Sequence, residues 1–131
     1  MRVLFWGTPE FATPTLRALL GEGFDVIGVV TQPDRPVGRS RSTLVPSPVK
    51  VVALEEDLPV FQPVTMRDPL LIAQLEELEP EISIVVAYGR LLPATIIDLP
   101  PLGTLNIHAS LLPKLQLAIG LVLGDRRRRP E

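Results

Sequence analysis

Asn106-Ile107-His108-Ala109-Ser110 is the stretch of this sequence whose residue types and spacing most directly suit catalysis. In an extended strand, residues two apart face the same side, so Asn106 and His108 are expected to project together. A neutral amide donor beside an imidazole suits acyl transfer. The amide steadies a developing oxyanion, and the imidazole moves the proton of an attacking amine. Removing one such donor typically costs about 3–4 kcal/mol of transition-state stabilisation. His108 is the only histidine in the chain. A buried imidazole bonded to backbone, with Asn106 capping a turn, fits the same pair equally well on spacing alone. Competing chemistries find less support. There is no Gly-x-Ser-x-Gly elbow, no His-Glu-x-x-His and no P-loop. The chain has no cysteine, which removes disulfides, thiolate metal sites and thiol nucleophiles together.

Short, nearly continuous apolar runs are the elements that must position this pair. Val3 to Trp6, Val26 to Val30, Ile82 to Ala87 and Leu105 to Ile107 have the character of strands buried on both faces, which is how parallel sheets are built. A weaker strand, Val60-Phe61, lies between Pro59 and Pro63. Between the strands the apolar period becomes helical. Leu16, Leu19 and Leu20 form one stripe, with Thr13 before Pro14 as the expected N-cap and Gly21 expected to follow the stop. A second helix is predicted over 48–57 with Val49, Val52 and Ala53 inward. A third opens at Asp68-Pro69, aligns Leu71, Leu75 and Leu78, and closes at Pro80. The alternation predicts an α/β protein: a Rossmann-like open parallel sheet with right-handed crossovers and helices on both faces.

Such sheets bind ligands at the carboxyl ends of their strands, near the switch point. The turns expected there are Gly7-Thr8-Pro9, Thr31-Gln32-Pro33-Asp34, Ala87-Tyr88-Gly89-Arg90 and the Asn106 segment. The first lacks the glycines of a dinucleotide fingerprint, and Pro9 has no N–H for a pyrophosphate, so NAD is not expected. The segment from Thr31 to Ser47 is predicted to be a long loop, and long loops of this kind are often functional.

The 131 residues suit one domain, and 46% hydrophobic with 21% charged residues fits a core-forming chain rather than a disordered one. The net charge of −2 projects no field that marks a nucleic-acid binder. The basic residues are nevertheless grouped, as Arg35, Arg39, Arg41 with Lys50 and as Arg126 to Arg129, where they either meet phosphates or form solvated surface. The apolar start is interrupted too soon for a signal segment, and no run reaches the length of a membrane span. A reducing cytoplasm is the expected location.

Six segments together resemble the methionyl-tRNA formyltransferases. They are Gly7-Thr8-Pro9-Glu10-Phe11-Ala12; Val30-Thr31-Gln32-Pro33-Asp34-Arg35-Pro36 with Gly38-Arg39; Pro46-Ser47-Pro48-Val49-Lys50; Val86-Ala87-Tyr88-Gly89; Leu99-Pro100-Pro101-Leu102-Gly103; and Asn106 to Pro113. The His-x-Ser-Leu-Leu-Pro element is shared among formyltransferases that use 10-formyltetrahydrofolate, and the Gln32-to-Arg39 loop favours the initiator-tRNA enzyme over the others. The resemblance implies a formyltransferase fold and transfer of formyl from N10 of the folate to the amino group of methionyl initiator tRNA. It implies Asn106 and His108 as two of three catalytic residues. It further implies Ser110, Leu111, Leu112 and Pro113 as folate-binding, Val86, Ala87, Tyr88 and Gly89 as lining the pterin pocket, and Arg35, Arg39 and Arg41 on the tRNA phosphates. No metal, no NAD and no membrane are expected, and the full-length relative is expected to be a monomer.

The likeness runs to about Lys114, where the family continues Arg-Gly-Ala-Ala-Pro-Ile-Gln and this chain has Leu115-Gln116-Leu117-Ala118-Ile119-Gly120. The family's third catalytic residue, an aspartate in an Asp-Thr-Gly context, has no counterpart, and Asp125 lies in different surroundings. The expected organisation is a catalytic, folate-binding domain over 1–114, a divergent tail over 115–131, and no C-terminal tRNA-binding domain. Without a carboxylate to orient His108, little turnover is expected from this polypeptide alone. The alternatives are another formyltransferase or hydrolase domain using the same folate, or a non-catalytic folate- or RNA-binding fragment.

Overall fold

The structure, a computed structural model, describes residues 1–107. His108, Ser110, Leu111, Leu112, Pro113 and Arg126 to Arg129 lie outside the described residues. Among those described, β1 (Arg2–Gly7), β2 (Asp25–Val30), β5 (Val60–Phe61), β6 (Ile82–Val86) and β7 (Thr104–Asn106) form one sheet in the order β5-β2-β1-β6-β7. Every pairing in it is parallel, as the apolar runs predicted. Chain order runs outward from β1 in both directions, so the topological switch point lies between β1 and β6.

The central strand serves two cores. Its side chains alternate, so Val3 and Phe5 face one layer and Leu4 and Trp6 the other, all of them buried. On the first face lie α1 (Thr13–Gly21) and α2 (Pro48–Glu55), which contribute Leu16, Leu19, Val49, Val52 and Ala53. On the second lie α3 (Pro69–Glu77) and the single-turn α4 (Ala94–Ile97), which contribute Leu71, Leu75 and Ile96. A register shift between Val3 and Leu4 puts Gly28 opposite Leu4. The shift explains why Val26 and Val29, three apart, share a face.

Several local expectations need correction. Thr13 does not cap α1; it is the first helical residue, and its hydroxyl donates to the Glu10 carbonyl, 2.8 Å away, across a 3-10 turn over Glu10–Ala12. Gly21 is the last residue of α1 rather than the first beyond it. The stop is Gly23, in the left-handed region at φ 83°, with Gly23 N–H on the Leu20 carbonyl and Phe24 N–H on the Leu19 carbonyl. That doubly bonded ending carries the usual apolar contact, since Phe24 is buried in the core that holds Leu19. The other two main helices start as proline and an acceptor side chain dictate. The Ser47 hydroxyl takes the Lys50 N–H at 3.0 Å, and the Asp68 carboxylate takes the Leu70 N–H at 3.0 Å.

The largest departure concerns residues 31–47, which are not a structureless loop. They contain an antiparallel hairpin, β3 (Arg35–Val37) with β4 (Thr43–Val45), paired Arg35 to Val45 and Val37 to Thr43. Both strands are exposed throughout, so no burial pattern marked them in the sequence.

A candidate active site at the switch point

The carboxyl ends of β1 and β6 meet at Gly7 and Val86, which are register partners. Glycine is required there. A Cβ on Gly7 would lie 2.9 Å from the Phe5 ring, 3.0 Å from the Val86 carbonyl oxygen and 3.2 Å from Ala12. Beyond Val86 the chain turns sharply, with Ala87 at φ 49° and Gly89 at φ 98°, both left-handed. A non-glycine residue in that region is uncommon and costs roughly 1 kcal/mol or more, so the surroundings must hold the turn in place.

The restraint comes from the Tyr88 backbone. Its carbonyl accepts the Thr8 hydroxyl at 2.8 Å and the Gln32 side-chain amide at 3.1 Å. Three strand exits, those of β1, β2 and β6, are thereby tied to one oxygen. The β5 exit joins through Gln62, whose amide donates to the Gln32 carbonyl at 3.2 Å and to Asp34 Oδ1 at 2.8 Å. Asp34 in turn receives Lys50 Nζ on both oxygens, at 2.9 and 3.1 Å. The Gln62 hydrogen bond first, and then that of Lys50, hold the Asp34 carboxyl below its ordinary value. Beneath this network, the Thr31 and Ser47 hydroxyls meet at 2.6 Å and close the base of the hairpin.

The expected site residues fall into distinct places. Val86 and Tyr88 turn their side chains into opposite cores, Val86 among the α1 and α2 residues and Tyr88 edge-on to Trp6 with ring centroids 5.2 Å apart. Burial pushes the Tyr88 phenol up to about 12, and its hydroxyl has no hydrogen-bond partner among the described residues. Only the backbone of the 87–89 turn stands at the carboxyl end, where Gly89 is exposed. Asn106 ends β7 beside Val85 and is exposed, while Ile107 points into the α1–α2 core. Asn106 therefore lies on the sheet's carboxyl side, one strand from the switch point; His108 is outside the described residues.

Arg35, Arg39 and Arg41 are all exposed on the hairpin, and none has a carboxylate partner among the described residues. Lys50 separates from them. It belongs to α2, is partly buried and is committed to Asp34. The residues that sequence reasoning missed as organisers are Thr8, Gln32, Gln62 and Asp34. Their signal was only positional, since each follows a strand end. A cleft of about 220 Å³ lies between Arg2, Glu79, Glu81 and Leu99 at the amino end of the sheet. It is at the end where open α/β sheets do not bind ligands, and Arg2 already pairs with Glu81 and donates to the Glu79 carbonyl.

The family model described as "Formyl transferase" matches residues 1–119. The chain belongs to the formyl transferase family. Among curated relatives, the methionyl-tRNA formyltransferase of Symbiobacterium thermophilum is 55% identical over 114 residues, covering 87% of this chain and 35% of that protein. The enzyme of the same name from Chloroflexus aurantiacus strain J-10-fl is 53% identical over 113 residues, 86% of this chain and 36% of its own length. That from Geobacter sulfurreducens is 51% identical over 121 residues, 92% and 38% respectively. The chain thus spans a little over a third of the length of the curated relatives it matches. The matched stretch of this formyl transferase chain contains the whole described sheet, the Tyr88 turn and the arginine hairpin. No helix among the described residues is long and apolar enough to cross a membrane.

Proposed function

We propose that this chain serves the transfer of formyl from 10-formyltetrahydrofolate to the α-amino group of methionine on initiator tRNA, in the cytoplasm, at the start of protein synthesis. The supporting observation is identity of 51–55% to methionyl-tRNA formyltransferases over a stretch holding both the switch-point turn and the arginine hairpin. An acyl donor and a nucleic-acid acceptor need separate surfaces that converge on one point. The turn after β6 and the hairpin after β2 lie on the same side of the sheet, which suits that division.

In this reading the pterin meets the backbone of Ala87 and Gly89, since the Val86 and Tyr88 side chains are committed to the cores. The folate supplies an activated formyl carbon on N10. Ser110, Leu111, Leu112 and Pro113 line its site, and Arg35, Arg39 and Arg41 hold acceptor-end phosphates, contacts that position without reading sequence. As the methionyl nitrogen bonds to the formyl carbon, the Asn106 amide donates to the carbonyl oxygen that becomes negative. His108 takes a proton from the attacking nitrogen and hands it to N10 as the bond between N10 and the formyl carbon breaks. The full-length protein acts as a monomer, with residues 1–114 as its catalytic, folate-binding unit.

Two titrations test the proposal. Calorimetry with 10-formyltetrahydrofolate should show one saturable site, and binding of methionyl initiator tRNA should weaken steeply with salt. Replacing Arg35, Arg39 and Arg41 with alanine should lower the slope of log affinity against log salt by about 2–3. Absence of both binding events would end the reading. Tight folate binding with no turnover favours the non-catalytic alternative for this polypeptide. Normal turnover would show that residues 1–131 suffice for the reaction.

A further inference from the structure

We propose that Gln32 is a positioning residue coupling the switch-point turn to the arginine hairpin, so that a ligand held at one is felt at the other. The identity of the two ligands rests on the formyl-transfer reading; the coupling rests on geometry.

Gln32 lies in the loop leaving β2, three residues before Arg35 opens the hairpin. Its side chain crosses to the exit of β6, where the amide donates to the Tyr88 carbonyl at 3.1 Å. Its own carbonyl faces the other way and takes the Gln62 amide at 3.2 Å. That Gln62 nitrogen also holds Asp34 at 2.8 Å, and Asp34 anchors the hairpin base to Lys50 of α2. One residue therefore has its side chain in the turn and its main chain in the hairpin anchor. The other organisers reach only one of these. Thr8 bonds to Tyr88 and, through its carbonyl, receives the Val49 N–H of α2 at 3.4 Å. Asp34 and Lys50 hold the hairpin and do not touch the turn.

The contact is steric as well as polar. A Cβ on Gly89 would lie 3.6 to 4.0 Å from three Gln32 side-chain atoms, so that side chain lies directly over the turn. The Tyr88 carbonyl has both lone pairs occupied, by Thr8 and Gln32, and has no spare acceptor with which to absorb a shift. A ligand that settles the 87–89 backbone therefore settles Gln32, and with it the chain that leads into Arg35. Linkage makes the effect reciprocal: folate at the turn and RNA phosphates at the hairpin favour each other by the same factor.

Amide hydrogen exchange on the full chain tests this without and with ligand. Without ligand, Lys50→Met breaks the hairpin anchor at nearly constant volume. Exchange should quicken at residues 37–45, and the backbone amide chemical shifts of residues 87–90 should move as the turn loses its restraint. In a Gln32→Leu background the hairpin should still respond to Lys50→Met and the turn should not. A turn that ignores Lys50→Met in the otherwise native chain, or responds equally with Gln32→Leu, would overturn the coupling. With each chain saturated with 10-formyltetrahydrofolate, as fixed by its own calorimetric titration, hairpin exchange should slow in the native chain but not in Gln32→Leu. Hairpin protection that survives in Gln32→Leu counts against the proposal. A native chain that binds no folate defeats the formyl-transfer reading, and the ligand-free comparison then decides the coupling by itself.

Discussion

Tyr88 divides its two halves between packing and polar organisation. Its ring, 1% exposed, closes one core against Trp6, while its carbonyl gathers two donors at the switch point. The hydroxyl does neither, being buried without a partner among the described residues. Tyr88→Phe should therefore cost nothing or stabilise by up to about 1 kcal/mol, because an unsatisfied buried hydroxyl already bears its desolvation penalty. The alkaline limb gives a sharper check. The folded phenol titrates near 12 against an ordinary 10.0. Its contribution is intact below pH 10, and it is lost as the unfolded chain ionises between there and 12. Urea midpoints of the native chain should fall across that window, and those of Tyr88→Phe should fall less. Gly7→Ala should behave in the opposite way, costing roughly 1–3 kcal/mol in the same titration, since its Cβ meets the Val86 carbonyl oxygen at 3.0 Å. The apolar character of residues 86–89 is that of ordinary core, but it did not fix which core Tyr88 enters. That direction follows from a left-handed Ala87, a conformation that alanine does not favour and that the network around the Tyr88 carbonyl imposes.

Elements were legible in proportion to how much of them is buried. β1, β2 and β6 are apolar because both faces are covered, so composition alone exposed them and the parallel sheet they form. The hairpin β3–β4 has no buried face, and nothing in its residues alternates, so its pairing could be found only in coordinates. Lys50 was grouped with the arginines by sequence proximity; its ion pair with Asp34 spans sixteen residues and leaves no periodic trace. Asn106 was placed correctly at a strand's outlet, whereas its pairing with His108 lies outside the described residues. The start of α2 shows how an element's end can serve a neighbour. Ser47 caps the helix through Lys50 N–H and also meets the Thr31 hydroxyl, 7% and 0% exposed respectively. Ser47→Ala removes the cap, worth about 1 kcal/mol, and leaves Thr31 buried with one partner fewer, worth about 1 kcal/mol or more again. A loss near 2 kcal/mol by urea titration, with faster tryptic cleavage after Arg39 and Arg41, is the expected outcome. A loss confined to stability, with unchanged cleavage, would detach the hairpin from this anchor.

Across the whole molecule, the central strand makes two cores into one unit. Val3 and Phe5 bind the α1–α2 layer while Leu4 and Trp6 bind the α3–α4 layer, so neither layer can melt without stripping a face of β1. Trp6, the only tryptophan, is fully buried on the second face and reports on that layer. Leu16 is fully buried on the first. Leu16→Ala should cost about 2–5 kcal/mol by cavity formation, a large part of the 5–15 kcal/mol typical of a domain. Cooperative coupling through β1 requires that this loss be felt at Trp6, although the substitution lies across the sheet from it. Urea midpoints read from Trp6 fluorescence and from far-UV circular dichroism should then coincide in the native chain and shift together in the variant. A Trp6 midpoint that stays in place while helical signal is lost early would mean that the two layers unfold separately. The sheet would then be a platform joining two stabilities, and a strain applied at the switch point, where both layers meet, would be absorbed by the weaker layer before it reached the hairpin.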